Sequence, residues 1–490
     1  MTESAARRVR GALTHPVVDA DGHWLEALPV FLQFLDETAG PRMVDQVVTF
    51  LKTQVGAWYG MTPADRQGRR ASRPAGWAYS ARTQTRAASM LPGLYYDRLD
   101  DWGIDVALVY PSLGLLFLGL GDETMRRPLV RAYNRMIAEV FAPYSDRIIP
   151  AAICTMQTPG EAIEEATYAV ETLGLRLAVV NGTVVRPLAN PPEGAAGRVY
   201  VDALGLDAAY DYDPVWSTFS RLGLAVTNHA GSISWPDRNS PTNFVANHLG
   251  HFAQGNQAFA RSLFMGGVTE RHPDLRFGFL EGGVGWACTL YSELIGHWKK
   301  RNRPLLDAHF KPDLLDRAEL RGLIDHYAGR DTRFRGLADR IARDNLDPLE
   351  PDQSLEALTQ RDMDLDEYEN VRIDGEADFR RLFSRNFYFG CEADDPATPW
   401  AFSGSFEDAG LKPMLGSDIS HFDVTEPTEV LHEAWEMVEH GWITEPQFEK
   451  FTFSHVVELH TGMNPDFFKG TVVEARVADL ARVTGNNGRA

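Results

Sequence analysis

Cysteine is scarce. The chain has three in 490 residues, Cys154, Cys288 and Cys391, far apart and without a C-x-x-C pair. That excludes a sequence-local zinc knuckle and fits a reducing compartment. Basic residues are also in short supply: 48 Lys and Arg face 68 Asp and Glu, for a formal charge of −20. Nucleic acid and anionic membranes both demand a basic face, so neither is expected as the main partner. Long apolar runs are missing. The longest, Ala107 to Gly121, is interrupted by Pro111 and Ser112 and is too short to span a bilayer. The opening residues M-T-E-S-A-A-R-R-V-R-G-A-L-T lack the apolar centre of a signal peptide. A soluble, cytoplasmic protein is expected. No repeat or low-complexity tract is visible.

What is present is a series of short apolar runs. At 490 residues the chain exceeds the usual single-core size, so one large decorated domain or two domains are expected. Strands are predicted at Val17–His23, Ile104–Tyr110, Arg147–Cys154, Arg176–Gly182, Gly223–His229, Leu275–Gly283, Asn386–Cys391 and Lys412–Asp418. Stretches with helical periodicity mostly separate them, as at Glu123–Phe141, where Met125, Leu129, Tyr133, Met136 and Val140 recur at helical spacing. Eight strands alternating with helices imply a parallel sheet closed into an α/β (β/α)₈ barrel. The alternative, an open doubly wound sheet, normally carries a Gly-rich phosphate turn after its first strand, and D-A-D-G-H-W is not one. Two largely helical insertions are expected, residues 40–100 and 300–385, decorating one barrel over residues 1–490. Between Arg66 and Tyr96 the first insertion holds Arg66, Arg69, Arg70, Arg73, Arg82 and Arg86 and no acid. It reads as a solvated or subunit-contacting arm, or alternatively as a device that gathers an anionic substrate.

In such a barrel, reactive side chains stand at the carboxyl ends of the strands. Those ends here supply Asp21, His23, Tyr110, Asn181, Asn228, His229, Glu281 and Asp418. In V-V-D-A-D-G-H, strand alternation turns Asp19, Asp21 and His23 to one face. The run L-G-S-D-I-S-H at the far end repeats the pattern of acid and histidine. Several ionisable groups at one mouth call for a neutralising cation. Two carboxylates with two imidazoles suit Zn²⁺, with Mn²⁺ or Fe²⁺ as alternatives.

These motifs resemble the amidohydrolase superfamily, in the branch related to aminocarboxymuconate semialdehyde decarboxylase. That branch typically has D-x-H-x-H on strand one, a histidine ending strand five, a histidine before Gly-Gly on strand six, and G-S-D-x-P-H on strand eight. The matching segments are D-A-D-G-H (Asp19 to His23), T-N-H-A-G around His229, R-H-P-D-L-R-F-G-F-L-E-G-G (Arg271 to Gly283) and G-S-D-I-S-H. The resemblance spans most of the chain outside the two insertions. It implies Asp21, His23, His229 and Asp418 as metal ligands, and a homodimer or higher homo-oligomer. Two positions depart from the pattern: Asp21 replaces the first histidine of the H-x-H pair, and Glu281 replaces the strand-six histidine.

The second departure bears on the reaction. A glutamate beside a metal-bound water is suited to take the water's proton and pass it to a leaving group. The expected activity is therefore hydrolysis of a small organic substrate, such as an aromatic or unsaturated acid or amide, with Glu281 as base. The alternative is metal-dependent non-oxidative decarboxylation of an aromatic or unsaturated carboxylic acid. A third reading, a catalytically idle barrel used for binding, predicts no bound metal. His421 is a further catalytic candidate, to orient a ligand or polarise the substrate, against a plain loop hydrogen bond. Trp24, Tyr110 and Asn228 are candidates to line the substrate pocket, against packing. Ser417 lacks a G-x-S-x-G elbow and reads as a turn residue. His248 and His251 fall on an expected helix, with solvation or packing as their default.

Overall fold

Short β-branched and aromatic runs build the sheet. The computed structural model describes residues 3–74, 80–193, 197–229, 235, 237–311, 314–328, 330–337, 339–340, 366–422 and 424–487. The strands are β1 (Val18–Trp24), β2 (Val106–Pro111), β3 (Ile148–Cys154), β4 (Leu177–Val180), β5 (Val184–Pro187), β6 (Val199–Asp202), β7 (Val226–Asn228), β8 (Phe277–Phe279), β9 (Phe387–Cys391) and β10 (Pro413–Leu415). Eight of them form one parallel sheet in the order β1-β2-β3-β4-β7-β8-β9-β10. Just past the end of β10, Asp418 N–H donates to the Asp21 carbonyl (2.9 Å) and His23 N–H to that of Ile419 (3.0 Å). Last strand thus meets first, and the architecture is the α/β (β/α)₈ barrel expected from the alternation of runs.

Helices follow the strands as the periodicity predicts. Glu123–Phe141 is a helix capped by the Asp122 carboxylate, which accepts from Thr124 N–H. Its buried Arg126 makes a two-pronged pair with Glu161 on the next helix (2.9 and 2.7 Å). On the β7–β9 side the core is largely aromatic. Trp216, Phe219, Phe259, Phe277 and Phe279 are each less than 2 % exposed, and each such burial contributes about 2–3 kcal/mol. The stretch after β4 holds the antiparallel hairpin β5–β6. V-V-R-P and V-Y-V-D carry enough β-branched character to pair, and Arg186 binds Asp202 across them (2.5 Å).

One strand breaks its own alternation. The β1–β2 register shifts between Asp19 and Gly22. A Cβ at Gly22 would lie 2.6 Å from the Tyr95 hydroxyl and 2.7 Å from Asp19 Oδ2, so only glycine fits the bulge. Asp19 therefore does not share the outlook of Asp21 and His23. Its carboxylate accepts from Ser417 N–H (2.9 Å) and Ser417 Oγ (2.6 Å), which ties β1 to the turn after β10.

The chain divides into two compact units, Met1–Tyr291 with Asp374–Ala490, and Ser292–Ile373. The second is helical, with Arg303–His309 and Arg317–Ala328. Within it Tyr368 Oη donates to Leu294 O (3.0 Å) and Arg301 pairs with Glu367 (2.5 Å). Within the first unit, the arginine-rich stretch straps across its own chain. Arg66 covers the Trp58 ring at 3.6 Å, Arg73 Nη1 donates to Thr242 O (2.5 Å), and Arg82 pairs with Glu426. Among the described residues, no helix is long and apolar enough to cross a membrane.

Candidate metal centre

The barrel mouth gathers acids and imidazoles from four strand ends. β1 supplies Asp21 and His23, β7 leads into His229, β8 into Glu281, and β10 into Asp418 and His421. His23 Nε2 lies 2.8 Å from His229 Nε2, 3.2 Å from Asp418 Oδ1, 3.5 Å from Glu281 Oε1 and 3.6 Å from Asp21 Oδ1. His229 Nε2 is 3.5 Å from Asp21 Oδ1 and 3.4 Å from Glu281 Oε1. His421 Nδ1 reaches Asp418 Oδ1 at 2.7 Å and Glu281 Oε1 at 3.5 Å.

Two overlapping sets result, Asp21–His23–His229–Glu281 and His23–Glu281–Asp418–His421, each with one donor atom per residue and all donors within 4.8 Å of one another. The side chains are sealed from solvent except for that of His421, which is 18 % exposed. Glu281 (φ 54°) and Asp418 (φ 48°) both sit in the left-handed region that non-glycine residues avoid. Such backbone costs of order 1–3 kcal/mol per residue and persists where the surroundings impose it. Here two acids, at the ends of β8 and β10 with β9 between them, are both turned this way, toward the same cluster.

The electrostatics ask for a cation. Burial drives the Asp21 carboxyl well above the usual carboxylate range, and Glu281 and Asp418 push it further against the pull of His229. Burial and the charges of His421 and His229 hold the His23 imidazole well below its ordinary value. Burial opposes protonation of His229 as well, but Glu281 and Asp21 outweigh it and hold that ring above its ordinary value. Asp21 Oδ1, Glu281 Oε2 and His229 Nδ1 are buried without a hydrogen bond. Three carboxylates packed together out of water are costly unless a positive charge joins them. The donor set, its spacing and these orphaned atoms fit a divalent metal ion.

The amidohydrolase sequence profile matches residues 18–331, well over half of the chain. The chain belongs to the amidohydrolase family. Among solved structures it is similar to an amidohydrolase from Mycobacterium avium subsp. paratuberculosis K-10, at 16% identity and a TM-score of 0.53, covering 91% of this chain and 98% of that one. It is also similar to 5-carboxyvanillate decarboxylase from Novosphingobium aromaticivorans DSM 12444, solved with manganese and 3-methoxy-4-hydroxy-5-nitrobenzoic acid (13% identity, TM-score 0.47, 92% and 98% covered). A third is a dihydroxybenzoic acid decarboxylase from Polaromonas sp. JS666, solved with manganese and 2-nitroresorcinol (14% identity, TM-score 0.47, 91% and 97% covered).

Within this amidohydrolase, the residues marked from sequence fall into two groups. Asp21, His23, His229, Asp418, Glu281 and His421 converge. Trp24 and Asn228 do not: Trp24 packs edge-on against Phe141 (5.0 Å) and donates to Met90 O (3.1 Å). Asn228 is fully buried, with Nδ2 on Asn256 Oδ1 (2.6 Å) and Oδ1 on Gly182 N–H (2.8 Å). Their positions at strand ends are right, but the barrel's own framework uses their polar atoms. Tyr110 lies with its ring 5.9 Å from that of His229, inside the wall of the centre. Sequence reasoning missed Ser112 and Glu26. Ser112 Oγ is 3.0 Å from His421 Nε2. Glu26 accepts from the backbone N–H groups of Ser112 (3.1 Å), Leu113 (2.7 Å) and Gly114 (3.0 Å), fixing the loop that carries Ser112. A carboxylate three residues after the first-strand histidine was the available signal.

Proposed function

We propose that the protein is a metal-dependent non-oxidative decarboxylase of an aromatic or unsaturated carboxylic acid, with Asp21, His23, His229 and Asp418 holding the ion. Of the two reactions open from sequence, the disposition of Glu281 and His421 favours this one. A glutamate base must stand clear enough to take a proton and hand it on. The Glu281 side chain is 5 % exposed, and its Oε1 lies within 3.5 Å of a nitrogen of each of His23, His229 and His421. Burial works against its charge, but His229 and the imidazole hydrogen bonds outweigh it and hold it anionic. Glu281 therefore acts as a member of the charged cluster around the ion.

His421 is the accessible group. Its ring stacks 3.7 Å from that of His23, with Nδ1 toward Asp418 and Nε2 toward Ser112, and its side chain is 18 % exposed. In decarboxylation the bond between the ring or olefinic carbon and its carboxyl group breaks, CO₂ leaves, and the electron pair stays on the carbon. His421 supplies the proton that carbon then takes, and solvent reprotonates the imidazole. When bound, the divalent ion supplies Lewis-acid stabilisation of negative charge on substrate oxygen. With Glu281 beside the ligand carboxylates of Asp21 and Asp418 the surroundings of the ion are oxygen-rich, so we place Mn²⁺ ahead of Zn²⁺.

Hydrolysis is the second reading, and one observation favours it: Glu281 Oε2 is buried with no hydrogen bond, an open acceptor for a proton from water. Manganese-loaded protein incubated in D₂O with carboxyl-¹³C hydroxybenzoic acids separates the two. Release of ¹³CO₂, deuterium at the vacated carbon, and loss of both on chelation are expected. Turnover confined to esters or amides would move the assignment to hydrolysis. The expected homodimer or higher oligomer stays part of the proposal, and light scattering measures it.

A further inference from the structure

The segment between β7 and the helix His251–Met265 carries a cation, Arg238, that forms no ion pair among the described residues. Among the described residues Arg238 makes no hydrogen bond or ion pair, and its Nε is buried without a partner. The neighbouring Asp237 is engaged by His251 Nδ1. Arg238 is partly exposed, and a guanidinium whose Nε is shielded from water with no acceptor, beside a reactive centre, marks a place where an anion arrives.

The surroundings describe that anion's carrier. The Arg238 guanidinium lies 5.8 Å from the centre of the Phe252 ring, and that ring meets His229 edge-on at 6.1 Å. His248 packs against Phe252 (5.2 Å) and against Phe422 (4.9 Å), the residue after His421. An aromatic wall therefore runs from Arg238 to both histidines at the edge of the metal centre. Burial opposes the charge of Arg238, while Glu281 and Asp237 favour it, so the guanidinium is within electrostatic range of the centre. A divalent ion among Asp21, Glu281 and Asp418 leaves that centre net negative. A second negative group on a substrate needs a cation elsewhere, and Arg238 is placed to provide it.

The arginine-rich strap holds this segment in place. Arg73 N–H donates to Ser240 O (2.9 Å), Trp58 Nε1 to Pro241 O (3.1 Å) and Asn247 Nδ2 to Ser72 Oγ (3.1 Å). Asn247 also accepts from Ser240 N–H (2.8 Å). The insertion thus acts on the pocket indirectly, by bracing the segment that bears Arg238.

We propose that Arg238 is a specificity-determining residue that receives a carboxylate substituent of an aromatic substrate, one distinct from the group that reacts, while the substrate ring lies along Phe252 and Phe422. This rests on the reading of the neighbouring centre as the reactive site. Calorimetric titration with benzoate and with the three benzene dicarboxylates tests it, on manganese-loaded and on metal-free protein. At least one dicarboxylate should bind about tenfold or more tighter than benzoate, the scale of a desolvated charge-assisted pair. Arg238→Gln should bring that ratio near one, and Arg238→Lys should keep part of it. No preference in the wild type, or a preference that survives Arg238→Gln, overturns the assignment. If manganese fails to bind, the metal reading falls, while the ratio on metal-free protein still decides the role of Arg238.

Discussion

Nε2 of His23 and Nε2 of His229 lie 2.8 Å apart, with their rings nearly perpendicular at 81°. Two imidazole nitrogens that close need either a shared proton or a cation that draws both lone pairs. His23 Nδ1 faces the Pro111 carbonyl at 3.3 Å, an arrangement that puts the ring proton on Nδ1 and leaves the Nε2 lone pair facing inward. Elemental analysis of purified protein should therefore find one divalent ion per chain. His229→Ala and Asp418→Ala should each bring that value near zero with the barrel still folded by circular dichroism. Saturating metal at a hundredfold its Kd should raise wild-type stability by about 2.7 kcal/mol and leave both variants unmoved. Full metal content in either variant would remove that residue from the ligand set.

Glu281 separates two chemistries. As a charged neighbour of the ion, it should matter for affinity as well as rate. Glu281→Gln is expected to weaken manganese binding by about 10–100-fold, the range seen for groups that support a metal site. Metal titration followed by paramagnetic resonance measures this. Unchanged affinity with lost turnover would instead mark Glu281 as a base acting on water.

His421 should act mainly on the rate. Replacing a general acid typically costs 10²–10⁴-fold, so His421→Asn should lower kcat for CO₂ release on that scale with KM changed far less. Ser112→Ala should cost about tenfold, because the hydroxyl only orients the ring through its 3.0 Å contact with Nε2. If Ser112→Ala is as damaging as His421→Asn, the hydroxyl takes part in proton transfer itself.

Much of this centre was legible because strand ends in a barrel have a fixed meaning. Apolar runs locate the strands, and the residues that stop them, Asp21, His23, His229, Glu281 and Asp418, fall at one mouth. Long-range consequences were not legible. Period-two alternation assigned Asp19 to the same face as Asp21, but the bulge at Gly22 turns it onto Ser417. Asn228 has the chemistry of a pocket residue, yet Asn256 and Gly182, distant in sequence, occupy both ends of its amide. The role of Glu26 required the fold, because its three backbone donors come from a turn some 86 residues away. The arginines between residues 66 and 96 are visible as a reversal of sign, whereas the ties of Arg73 to Ser240 and Thr242 required the fold.

Acid stability offers a check far from the centre. His460 is 2 % exposed, stacks on Phe467 at 4.2 Å and 13°, and leaves Nε2 without a hydrogen bond. Burial pulls its pKa down to about 3, whereas an unfolded chain titrates near 6.5. Between those values the unfolded state takes up a proton that the folded state refuses. The contribution of the neutral ring is thus whole above pH 6.5 and drains as pH falls toward 3. At pH 5 the drain amounts to about 2 kcal/mol. The buried His455, lowered to about 4, adds in the same direction. His460→Phe keeps a flat ring against Phe467 and removes the ionisation. Denaturant unfolding should show the variant gaining about 2 kcal/mol on wild type at pH 5 relative to pH 8. An equal difference at both pH values would mean that His460 titrates when folded as it does when unfolded, and that its burial does not govern the acid limb.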